Sequence, residues 1–126
     1  MIRVADKERQ VPVPERSPAS ADTANRELVY CAICSHLIAR LADRCEINGQ
    51  HAHNCTNPYG VRFDVRCFGE ALGAAISGPP VAADSWFPGF AWRLLTCTDC
   101  QAHIGWYFER GREYFYGLVA NSIQYD

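Results

Sequence analysis

Apolar and charged residues alternate through residues 61–67 (Val61, Arg62, Phe63, Asp64, Val65, Arg66, Cys67). That period predicts a strand with one buried face. Asn57-Pro58-Tyr59-Gly60, just before it, has the residue types of a tight turn. A second strand is predicted over residues 114–119, and Arg110-Gly111-Arg112 separates it from a third over residues 103–109. The apolar spacing of residues 37–42 admits a helical turn. Residues 69–80 hold three glycines and two prolines and are expected to form a long connection. Short strands broken by frequent turns imply an all-β fold of two sheets. Residues 1–26 carry Pro12, Pro14 and Pro18, mixed charge and only scattered apolar side chains. They are expected to be a disordered or loosely attached arm. One domain is expected over residues 27–126.

Composition narrows the class. The chain has 126 residues, 48% of them hydrophobic and 21% charged, which suits one domain with a real core. Its formal net charge of -2 argues against a protein that grips nucleic acid phosphates. No apolar run approaches the ~18–20 residues of a membrane span. The first ten residues are interrupted by charges, unlike a secretory signal. No nucleic acid and no membrane are therefore expected as partners, and the expected location is cytoplasmic.

Seven cysteines cannot all pair internally. In a chain without a signal, clustered cysteines point to metal or catalysis before disulfides. Cys31-Ala32-Ile33-Cys34 and Cys97-Thr98-Asp99-Cys100 are two Cys-x-x-Cys units. Each spacing lets a tight turn aim two sulfurs at one point, and two such knuckles complete a tetrahedral thiolate shell for zinc. A closed four-thiolate site has no open position for water, so it is structural. His103 extends the second knuckle to Cys-x-x-Cys-x-x-His and is an alternative ligand. His51 and His53 flank Ala52 on one face of an expected strand, where they could bind metal weakly or be satisfied locally. Cys67 is in phase with Phe63 and Val65 and is expected in the core. Cys45 and Cys55 are either buried in the same way or a pair under oxidation.

The three tryptophans fall close together, at Trp86, Trp92 and Trp106. Trp86 and Trp92 bracket Phe87-Pro88-Gly89-Phe90-Ala91, in which Pro88-Gly89 suits the centre of a type II turn. Trp106 and Phe108 lie two apart on an expected strand and share a face. A tryptophan-containing core would account for such a cluster, and so would a cage.

The stretch from Asp84-Ser85-Trp86-Phe87-Pro88-Gly89 through Trp92, followed by Cys97, Cys100 and His103-Ile104-Gly105-Trp106, resembles the CULT domain of the cereblon family. Asn57-Pro58-Tyr59-Gly60, Phe115-Tyr116-Gly117-Leu118 and the knuckle at Cys31 and Cys34 also match, so the resemblance covers about residues 28–122. It implies two antiparallel sheets meeting at an angle, a β-tent, pinned by zinc. It implies an aromatic cage of Trp86, Trp92, Trp106 and Phe108 that takes cyclic imides: glutarimides of the thalidomide type, C-terminal cyclic imides on proteins, or uracil-like rings. Backbone groups around Asp84, Ser85 and Trp86 would meet the imide edge, and Asn57 would reach the ligand's far end. Two departures stand out. The family carries a histidine where this chain has Asp84. The chain also has no Lon-like domain and no helical insert for a ubiquitin-ligase adaptor, so no such adaptor is expected. Two other binding readings remain open: a quaternary-amine cage, and a protein interaction module like the Yippee domains. B-type methionine sulfoxide reductases share the β-tent but need a reactive cysteine on a late strand. None follows Cys100 here. No enzyme activity is expected.

Overall fold

The structure is a computed structural model, and it describes residues 27–125. The expected N-terminal arm, residues 1–26, lies outside the described residues. Among the described residues there are nine strands and no α-helix: β1 (Leu28–Cys31), β2 (Leu37–Arg40), β3 (Ala52–Thr56), β4 (Arg62–Phe68), β5 (Ala74–Val81), β6 (Ala91–Cys97), β7 (His103–Arg110), β8 (Glu113–Val119) and β9 (Ile123–Gln124). They form two antiparallel sheets, one ordered β2-β1-β9 and one ordered β3-β4-β8-β7-β6-β5. Among the described residues no helix is long and apolar enough to cross a membrane.

Two expectations are corrected. Residues 69–80 are not one long connection, because β5 occupies Ala74–Val81 and pairs with β6. Pro79 and Pro80 are tolerated there because β5 is the sheet's edge strand, where a missing N–H breaks no second ladder. The pairing skips from Ser77 to Val81, with Gly78 at a φ of 80° within the gap. The segment that admitted a helical turn is β2, and only Leu41–Asp43 after it coils, as a short 3-10 turn. Pairing with β1 buries Ile38 and Ala39 and overrides the local spacing.

The six-stranded sheet is apolar on both faces. One face packs Phe68, Leu95, Ile104 and Leu118 against Val29, Ile38 and Ile123 of the smaller sheet. The other presents Cys67, Phe108 and Phe115 to Ile47 and to Phe87 and Phe90 of the β5–β6 connection. At the centre, Gly105 of β7 and Gly117 of β8 allow a close backbone approach. A Cβ on Gly105 would fall 2.0 Å from the Gly117 carbonyl oxygen. Any side chain at Gly105 would therefore pry the central strands apart.

Candidate functional site

The two knuckles are built alike and come from different sheets. Cys31 ends β1 and Cys97 ends β6, so one knuckle belongs to the β1–β2 turn and the other to the β6–β7 turn. Cys31 N–H donates to His36 O and Ser35 N–H to Cys31 O; in the second, Cys97 N–H donates to Ala102 O and Gln101 N–H to Cys97 O. Ser35 (φ 67°) and Gln101 (φ 65°), each directly after the second cysteine, take the left-handed conformation that closes the turn. Thr98 Oγ1 and His36 Nε2 share a 2.8 Å hydrogen bond between the knuckles.

The four sulfurs lie within 4.8 Å of one another. Cys31 Sγ is 3.7 Å from Cys100 Sγ and Cys34 Sγ is 3.6 Å from Cys97 Sγ. These separations far exceed the ~2.05 Å of a disulfide. They suit a metal ion held between the thiolates. Burial would raise the Cys31 thiol, but backbone N–H groups of Cys34 and Ile33 and the neighbouring thiols hold it down to about 7. At Cys34 the His36 backbone hydrogen bond is outweighed by burial and the neighbouring thiols, which push it up to about 12, and Cys100 is also raised, so the four sulfurs hold their protons unequally. Asp99 N–H also donates to Cys97 Sγ at 3.4 Å.

The other candidate ligands do not join this cluster. His103 Nε2 donates to Gly105 O at 2.9 Å, and its ring stands edge-on to Trp106, 4.8 Å between centroids. His51 donates to Cys45 O and His53 to Gln50 O, so each imidazole is satisfied locally. Cys45, Cys55 and Cys67 are free thiols. Burial, then the Asp43 charge, pushes Cys45 up to about 12; burial, then Asp64, pushes Cys55 up to about 11. Burial also drives Cys67 up. Neutral thiols of this kind are poor nucleophiles.

A cavity of about 370 Å³ opens beside the β6–β7 hairpin. Trp86, Trp92, Trp106 and Phe108 line it, joined by Asp84 and by Asn57, Pro58 and Tyr59 of the β3–β4 turn. Trp92 on β6 lies opposite Phe108 on β7, and Trp106 shares Phe108's face. Phe108, 1% exposed, ties the cavity to the aromatic core. The Trp86 and Trp106 rings meet at 86°, 4.9 Å between centroids, forming a corner. The indole N–H of Trp86 donates to Thr56 O at 2.9 Å, and that of Trp92 donates to Ala83 O at 2.8 Å. Both walls are thus held by backbone carbonyls. Between them, the Phe90 N–H to Phe87 O bond and Gly89 at a φ of 90° make the expected type II turn.

The remaining sequence-predicted residues take different places. Asp84 lines the cavity at a left-handed φ of 59°. Ser85 is not among the lining residues; its Oγ accepts the Phe87 N–H at 3.2 Å and supports the turn. Asn57 lines the cavity, while its Oδ1 accepts the N–H groups of Tyr59 and Val61 and shapes the rim loop. Sequence reasoning missed Pro58 and Tyr59 as lining residues, although both sit in the turn already singled out. It also missed Phe63, which stands behind two walls, 5.1 Å from Trp106 and 5.9 Å from Trp86 between ring centroids. In the sequence Phe63 is one apolar position of an alternating strand, and only the sheet order brings β4 to the cage.

Two β-sheets joined at paired cysteine knuckles that could hold a metal ion, with an aromatic cavity beside one of the knuckle-bearing hairpins, define a cysteine-clustered β domain with a small-molecule-sized pocket. No protein-family model matches the chain. Over 106 residues it is 31% identical to protein cereblon of Drosophila persimilis, covering 77% of this chain and 17% of that protein. It is 29% identical over 106 residues to protein cereblon of Drosophila melanogaster, covering 77% and 18%, and 34% identical over 73 residues to that of Xenopus tropicalis, covering 54% and 16%. The chain carries a cereblon-like CULT domain. It spans about a sixth of the length of the curated relatives it matches.

Proposed function

We propose that the domain is a non-catalytic receptor for cyclic imides or uracil-like rings, with zinc as its structural ion. The carrying observation is the cavity walled by Trp86, Trp92, Trp106 and Phe108. At about 370 Å³ it falls within the ~300–1,000 Å³ usual for small-molecule sites. A flat neutral imide has two weakly hydrated faces and one edge that presents acceptor, donor and acceptor. Indole walls bury the faces, with a gain of ~25 cal/mol per Å² of apolar surface removed from water. Backbone N–H and C=O groups around Asp84, Ser85 and Trp86 satisfy the edge without a formal charge. The ligand is either free or a cyclic imide at the C-terminus of another protein. Nucleic acid, membrane and a ubiquitin-ligase adaptor are not among the proposed partners.

Zinc is supported by the donor set. Four thiolates ~2.3 Å from a tetrahedral ion stand ~3.8 Å apart. Two of the sulfur pairs here are 3.6 and 3.7 Å apart, and all lie within 4.8 Å. With four protein ligands such an ion binds no water, so its role is structural. A four-thiolate metal site and three further unpaired thiols suit a reducing compartment, which supports a cytoplasmic location.

The test is a titration of the metal-loaded protein with glutarimide and with uridine, read by tryptophan fluorescence. A saturable shift is expected. Trp106→Ala should weaken binding at least ~10-fold, the usual cost of removing a packed aromatic anchor, and Trp106→Phe should cost less. No response to either ring in the folded protein would overturn the reading.

A further inference from the structure

We infer that Asp84 makes this cage select ring ligands that carry a positive charge beside the imide; the inference rests on the reading of the cavity as an imide site. Asp84 is the one acidic residue among those lining the cavity. Its position is fixed on both sides. Ala83 O, immediately before it, accepts the Trp92 indole N–H, and Trp86, two residues on, is tied to Thr56 O. Its left-handed φ of 59° is a conformation that aspartate and asparagine tolerate better than most side chains. Among the described residues its carboxylate makes no hydrogen bond and no ion pair, so the charge is not spent within the fold.

Two arginines of the same hairpin are already engaged. Arg93 donates to Gly78 O and pairs with Glu109. Arg110 pairs with Glu113 and lies over the Phe90 ring. The residues lining the cavity therefore include one carboxylate without a partner among the described residues and several aromatic rings, and Tyr59, 90% exposed at the rim, adds another. Aromatic faces and a carboxylate attract a cation by separate means, the ring quadrupole and Coulomb's law. A neutral imide uses neither. An imide bearing an ammonium-type substituent would use both while its ring stays in the cage.

The experiment compares three probes on the full metal-loaded chain: glutarimide, glutarimide with a trimethylammonium group on a ring carbon, and the same ring with an isosteric tert-butyl group. Each is titrated against wild type and Asp84→Asn, at low salt and at high salt. Asparagine keeps the shape and tolerates the same φ. The cationic probe is expected to bind wild type about 5-fold or more tighter than the tert-butyl probe, a difference of ~1 kcal/mol. That preference, taken as the ratio of the two affinities within each protein, should fall at least about 2-fold in Asp84→Asn, leaving only the cation–π part, and in wild type it should shrink in high salt. An equal preference in both proteins, or none in wild type, overturns the role of Asp84 and leaves the imide reading standing if glutarimide still binds. Tetramethylammonium alone provides the converse control. If it binds in an Asp84-dependent way and no imide binds, charge selection stands and the imide reading falls. If no probe binds, both fall.

Discussion

Removing the metal should cost the domain its cooperative fold. A folded domain of about 100 residues holds a net stability of ~5–15 kcal/mol. A structural zinc site contributes an apparent ~10–16 kcal/mol, so its loss is comparable to the whole margin. The smaller sheet is the weakest part, with strands of four, four and two residues. So short a sheet does not stand alone. It is held by one apolar face against the larger sheet and by the four sulfurs that bridge the two. The protein should be unfolded in denaturant with a chelator, then returned to buffer without metal, so that slow release cannot mask the result. Elemental analysis confirms the loss; calorimetry and tryptophan emission report the state. The expected outcome is no cooperative transition and red-shifted emission, both reversed by one equivalent of zinc. A verified metal-free protein melting within about 5 °C of the loaded form would limit the metal's contribution to ~1 kcal/mol and refute the reasoning.

Two further substitutions probe the core beneath the cage. In Gly117→Ala the new Cβ would lie 2.8 Å from Val65 Cγ1 and 3.0 Å from Phe108 Cε2. Overpacking of this kind costs ~1–3 kcal/mol, so the melting temperature should drop and imide affinity should weaken as Phe108 shifts; an unchanged melt would show that the core yields freely. Cys67→Ser buries a hydroxyl where a fully buried thiol stood, which should destabilise by ~1–3 kcal/mol in a thermal melt. Its imide affinity should stay within about 2-fold of wild type, and a loss of 10-fold or more in a folded protein would place the sulfur in the ligand's chemistry.

The metal cluster was legible because its information is local. The spacing of Cys31 and Cys34, and of Cys97 and Cys100, specifies a knuckle without reference to the rest of the chain. The alternation through Val65 and Cys67 marked β4 for the same reason. Segments whose structure depends on a neighbour were harder to read. Pro79 and Pro80 argue against a strand until β5 is known to be an edge, and Leu37 to Arg40 form a strand because β1 lies beside them. The cavity's tryptophans and Phe108 stood out through composition and through the resemblance to a known family. Tyr59 and Phe63 could be assigned only once the sheet order was known, since both reach the cage from the β3–β4 hairpin and not from β6–β7. Ser85 shows the reverse: adjacency to Asp84 and Trp86 marked it for the ligand, yet its hydroxyl holds the Phe87 turn.

The β6–β7 hairpin contributes to both the cysteine cluster and the cavity, with Cys97 and Cys100 at its turn and Trp92, Trp106 and Phe108 along its strands. At its turn, the Cys97 N–H to Ala102 O bond closes the knuckle that aims two sulfurs. Just beyond, pairing passes from Thr96–His103 to Leu95–Gly105, so Ile104 is an extra residue on β7. Ile104 is buried in the core between the sheets, and the bulge sets the phase of everything after it. Because side chains alternate along a strand, a slip of one residue would turn Trp106 and Phe108 away from Trp92. Gly105, pressed against the Gly117 carbonyl, leaves β8 no room to follow such a slip. The turn that carries Cys97 and Cys100 therefore also fixes which face carries the indoles. A change that loosens the knuckle should reach the cavity through register, before the global fold is lost.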